Sequence, residues 1–137
     1  RAIWAVPITF VGIMALGGIL EMINIGLFPV EFGIALSVLV LGLAIASNAR
    51  IYNSLIYAAV GMFGIFHGYA HGLEIPQLAT SWSYVAGFMV GTSLLHIVGV
   101  YLGRSSEKIK FGQTYLRYTG AVSAGIGLHI ILGMAGF

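Results

Sequence analysis

Cysteine is missing from this chain, and charge is nearly so. None of the 137 residues is cysteine, which excludes disulfides, thiolate metal sites and thiol catalysis. Charged residues make up only 7% of the sequence, far too few to cover the surface of a soluble domain. The net charge is +2 and the basic residues are dispersed, so nucleic-acid binding has no support. Arg1-Ala2-Ile3-Trp4 does not open a signal peptide, because no basic region precedes the apolar run and no small-residue cleavage site follows it. No initiator methionine stands there either, and the natural chain is expected to begin upstream. The sequence also lacks a Ser–His–Asp arrangement, a phosphate loop and an H-E-x-x-H motif. It is therefore not expected to be an enzyme, nor to hold a tightly bound cofactor.

What remains is apolar. Hydrophobic residues make up 59% of the chain, and the mean hydropathy is +1.01. These values define an integral membrane protein surrounded by lipid. Five apolar segments can be read, at approximately 3–20, 30–46, 55–70, 84–102 and 118–134. Several fall slightly short of the ~20 residues that cross a bilayer, a shortfall that interfacial Tyr, Trp and Arg residues make up by tilt and snorkelling. In hydrocarbon only helices and closed barrels satisfy their own backbone, and these runs are continuous rather than alternating. The expected architecture is all-α: a polytopic membrane helix bundle with five transmembrane helices, forming one transmembrane domain over residues 1–137. Gly26 to Pro29 and Ser47 to Arg50 read as turns. Pro76 ends the helix before it, and Arg104 to Arg117 reads as the long polar loop.

Charge orients the bundle. If the side holding Arg1 is the inside, alternation of helices also puts Arg50, Arg104, Lys108, Lys110 and Arg117 inside, while Glu21, Glu31 and Glu74 fall outside and Glu107 falls inside. The positive-inside rule then makes the basic loops cytoplasmic and the C-terminus external. Glycine is abundant, at 20 residues. Gly87 with Gly91, Gly99 with Gly103 and Gly120 with Ala124 have the small-xxx-small spacing that lets helix backbones approach closely. Such faces serve packing within one bundle, or docking onto a second copy or a larger membrane complex. Glu21 and Glu31 flank the first outer turn and read as solvated. The five methionines are scattered and read as packing residues.

Against this background one stretch stands out. Phe66-His67-Gly68-Tyr69-Ala70-His71-Gly72-Leu73-Glu74 concentrates two histidines and a glutamate. On a helix, positions i, i+4 and i+7 share a face, so His67, His71 and Glu74 line up at the outer end of the third segment. Imidazole with carboxylate suits nickel, zinc, cobalt or copper(II) better than magnesium or calcium. The competing reading is a set of hydrogen-bonded interfacial anchors, but ionisable groups at membrane depth are costly and usually functional. His96 in the fourth segment and His129 in the fifth divide between packing and function. Thr92, four residues before His96, shares its face and is a candidate partner. Thr80, Ser81, Ser83, Thr92 and Ser93 give this segment a polar side that suits a pathway lining or helix glue. A haem held between His96 and His129 is a poor fit, since His96 is the deeper of the two on these boundaries.

The chain resembles the HupE/UreJ family of small membrane proteins found with nickel hydrogenases and ureases. The resemblance is carried by Arg1-Ala2-x-Trp4-x-x-Pro7, Met14-Ala15-Leu16-Gly17-Gly18, Glu31 to Gly42, Gly87-Phe88 and Leu95-His96-x-x-Gly99. It is sharpest at Phe66-His67-Gly68-Tyr69-Ala70-His71-Gly72-x-Glu74-x-Pro76. It implies a nickel or cobalt permease of the bacterial inner (plasma) membrane, with Ni2+ or Co2+ as cargo and His67, His71, Glu74 and His96 as metal-binding residues. It also implies a further N-terminal helix bearing His-Pro-x-x-Gly-x-Asp-His, which this sequence does not contain. With that helix the whole protein has six. Without it, the other reading is a non-transporting accessory subunit packed against a larger membrane complex.

Overall fold

In a computed structural model of the chain, residues 2–27, 29–75 and 81–136 are described. Arg1, Pro76 and Thr80 lie outside them. Among the described residues the fold is all-α, with five helices and no strand: α1 (Ala2–Met22), α2 (Val30–Ser47), α3 (Asn53–Leu73), α4 (Ser81–Ser106) and α5 (Gly112–Met134). Three of them, α1, α2 and α4, are long and apolar enough to cross a membrane. The other two are similar in length but carry polar residues within their apolar runs. His67 and His71 interrupt the apolar character of α3, and Gln113, Thr114, Arg117 and His129 that of α5. Large apolar side chains face outward, with Ile8 70% and Leu95 74% exposed. Soluble monomers rarely present so much contiguous apolar surface.

The helices run further than the apolar segments. The expected long loop from Arg104 to Arg117 is mostly helical, because α4 continues to Ser106 and α5 opens at Gly112 rather than Tyr118. Hydropathy marks the part of a helix that suits lipid. Backbone hydrogen bonding continues past that boundary, where Arg104 suits the C-terminal end of the α4 dipole. Two other breaks are built by asparagine. Asn24 adopts the left-handed conformation at φ 56°, which short polar side chains tolerate. Its amide donates to Glu21 O and the Ile25 amide donates to Leu20 O, the double bond of a Schellman cap. Asn48 is likewise left-handed after α2, at φ 50°, with its amide donating to Ile45 O.

The helices fall into two compact units. The first holds Arg1–Val30 and Tyr52–Val100, and the second holds Glu31–Ile51 and Tyr101–Phe137. In the first, α1 and α3 meet almost backbone to backbone. A Cβ at Gly68 would overlap Met14 O, and one at Gly17 would overlap Ile65 O. Met14 is fully buried and Phe63 nearly so, in keeping with Met14 as a packing residue. In the second, Gly42 of α2 lies against Ala124 and Gly120 of α5. Arg117 donates from Nε to the carbonyl of Ala46, 2.8 Å away, satisfying an acceptor that the end of α2 leaves open.

The small-xxx-small pairs thus behave differently. Gly120 and Ala124 do pack a helix seam. A Cβ added at Gly87, Gly91, Gly99 or Gly103 on α4 would meet nothing within 4 Å among the described residues. Spacing shows which residues share a face; a contact also needs a neighbouring helix on that face.

Candidate functional site

Three of the four histidines belong to the first unit. His67 lies on α3, and its Nδ1 is 3.1 Å from the carbonyl of Phe63, one turn back. His96 lies on α4 with Nδ1 2.9 Å from the carbonyl of Thr92, also one turn back. A carbonyl can only accept, so Nδ1 must carry the proton in both rings. Their Nε2 atoms are then left with a lone pair in the neutral form. His71 differs, with Nδ1 3.6 Å from Glu74 Oε2, an ion-pair distance too long for a hydrogen bond. Histidines that ligate metals commonly hold the remote nitrogen as His67 and His96 do, which fixes the tautomer and the ring orientation.

Each of these imidazoles also packs against a phenylalanine from another helix. His71 stacks on Phe88 of α4, centroids 4.9 Å apart and planes 9° from parallel. Tyr84 meets the same ring edge-on at 5.9 Å. Phe10 of α1 touches two imidazoles, His67 at 5.5 Å and His96 at 5.0 Å. Beside His96 runs a groove of about 420 Å³ lined by Trp4, Pro7, Val11, Met89 and Ser93 among others. Ser93 turns its hydroxyl back to Met89 O, so this polar face of α4 is partly satisfied by the helix itself.

The candidate residues do not all converge. His71 and Glu74 form one close pair, and His67 and His96 are joined through Phe10. Among the described residues no three acidic or histidine side chains gather tightly enough to hold a metal ion. Thr92, the candidate partner of His96, meets it through its backbone carbonyl, a contact that any residue at that position could make. His129 stands apart: it belongs to the second unit, is exposed, and makes no hydrogen bond or ion pair among the described residues.

Two residues escaped the sequence reading. Glu21, expected to be solvated, is half-buried along α3. A Cβ at Gly72 would sit 2.7 Å from Glu21 Cβ and 3.0 Å from its Oε2. A carboxylate from α1 therefore lies beside the residue that follows His71. The signal was Gly72 itself, since a glycine inside a helix often marks a close approach. Phe10 gave no signal, because one phenylalanine in an apolar run looks like its neighbours.

Fold and site together define a small all-helical protein with membrane-length apolar helices and an imidazole-bearing helix packed through glycine. The family model described as HupE / UreJ protein matches residues 1–130, and the chain belongs to that family. The curated relative Protein HupE of Rhizobium leguminosarum bv. viciae is 39% identical over 133 residues, covering 97% of this chain and 69% of the relative. No solved structure matches the chain.

Proposed function

We propose that this chain is the body of a permease for a divalent transition metal, nickel or cobalt, in the cytoplasmic membrane of a bacterium. The observation that carries this reading is the shared posture of His67, His71 and His96. Nδ1 faces an acceptor of its own segment in each, and no hydrogen bond of Nε2 is found among the described residues. In this reading His67, His71, Glu74 and the nearby Glu21 capture the ion at the outer face, and His96 receives it deeper in the membrane. All five helices span the bilayer, with the basic loops cytoplasmic. Family membership supports the assignment, because the name HupE / UreJ belongs to hydrogenase- and urease-associated proteins. Sparse ligation suits the task, since a transported ion must bind weakly enough to leave. The chain performs no covalent chemistry in this scheme.

The test is nickel uptake by cells expressing the full-length protein. Uptake should collapse in the His67→Ala, His71→Ala double variant. Undiminished uptake would remove these residues from the path.

One observation favours a second reading, an accessory subunit of a larger membrane complex. The glycines along α4 meet no neighbour among the described residues, and glycine-bearing membrane helices commonly dock onto other helices. Purification with stoichiometric partners and without metal binding would support that alternative.

A further inference from the structure

Phe10 is the one aromatic ring among the described residues that touches two histidines, His67 of α3 and His96 of α4. The α1 backbone at Phe10 runs close to α3, where the Phe10 carbonyl would lie 3.2 Å from a Cβ at Gly64. The glycine thus lets the α1 backbone settle against α3 one turn before His67. Both imidazoles are held by their own helices through Nδ1 and both offer Nε2.

A single ion bound by two imidazoles needs each nitrogen about 2.0–2.1 Å from the metal. Both Nε2 atoms must therefore point at one site between the rings. Phe10 packs against both rings at contact distance, so such a site would have to be accommodated around its ring.

We propose that Phe10 is a positioning residue that keeps His96 from joining His67 on one ion, so that an ion is handed on from the outer site to His96 rather than chelated between them. This rests on the permease reading and adds a reason for the aromatic residue. Two nitrogens on one ion would bind it more tightly and release it more slowly. A bulky apolar ring offers no ligand of its own and raises no competing electrostatic well. It enforces weak binding by occupying space.

The experiment uses the full-length protein, with nickel binding followed by calorimetry in detergent and nickel uptake followed in cells. Phe10→Ala should bind nickel at least about tenfold more tightly while transporting it at least about tenfold more slowly. The double variant Phe10→Ala, His96→Ala should lose the gain in affinity, because the second ligand has gone. A purely structural role for Phe10 would not be reversed in this way. Phe10→Leu keeps apolar volume and covers the case in which the alanine variant fails to fold. It should show the same signs with smaller size. Unchanged affinity, or a loss that persists in the double variant, overturns the proposal. If the wild-type protein neither binds nor imports nickel, the permease reading itself is the one that fails.

Discussion

The contact between α1 and α3 gives a quantitative prediction, because one glycine decides it. A Cβ added at Gly68 would lie 2.6 Å from the carbonyl carbon of Met14 and 2.9 Å from its Cα. Comfortable carbon contacts are about 3.5–4.0 Å. The two helices must part by on the order of 1 Å there, or rotate. The obstructing atoms are backbone, so no side chain can swing aside. Overpacking of this kind costs roughly 1–3 kcal/mol, and alanine returns about 1 kcal/mol through its helix preference. With no soft neighbour the cost lies in the upper part of that range, about 2–3 kcal/mol, so the net loss should be about 1–2 kcal/mol, a five- to thirtyfold change in the folding equilibrium. Gly87 on α4 supplies the opposite case. Nothing stands within 4 Å of it, so alanine there should stabilise by about 0.5–1 kcal/mol. Detergent-induced unfolding in mixed micelles, followed by the fluorescence of Trp4 and Trp82, measures both. A Gly68→Ala protein as stable as wild type would refute the close-packing argument, as would equal losses at the two sites.

Other consequences are simpler. Arg117→Ala removes the hydrogen bond to the Ala46 carbonyl and should cost about 1 kcal/mol, measured by circular dichroism in the same titration. His71→Ala should depress nickel uptake strongly, whereas His129→Ala, exposed and in the other unit, should import at close to the wild-type rate. Uptake should fall as the medium is acidified, because a protonated imidazole has no lone pair to give a metal. Uptake rates across an external pH series check this, and a rate that rises in acid would count against imidazole capture.

The apolar runs were legible because lipid permits few solutions. Continuous hydrophobic stretches of this length become helices, and all five helices were anticipated. Their ends were less legible. Nothing in the apolarity of residues 118–134 says that a helix opens at Gly112, since Gln113 and Thr114 can be helical in a watery interface. The site was half legible. Spacing put His67, His71 and Glu74 on one face, but it carried no information about α1. The approach of Glu21 to Gly72 and of Phe10 to two histidines depends on which helices are neighbours. The same limit explains the glycines of α4, whose spacing matched that of the true seam at Gly120 and Ala124.

The order of residues in Phe66 to Glu74 now has a mechanical reason. Each residue of an α-helix turns the chain by roughly 100°. A glycine directly after His67 and another directly after His71 therefore form a stripe turned by that angle from the imidazoles. Gly64, Gly68 and Gly72 make up the stripe, and α1 lies against it through Phe10, Met14 and Glu21. The imidazoles are carried beside the seam, close enough for Phe10 of α1 and Phe88 of α4 to reach them. If a glycine were replaced by a larger residue, α1 would be pushed away together with the ring and the carboxylate that it supplies. If instead a histidine were moved by one residue, it would enter the seam, where there is no room for it. The His-Gly pairs thus give one helix a smooth face for packing and a polar edge beside it, the edge to which the proposed ion site is assigned. That double demand separates this motif from two histidines placed four apart by chance.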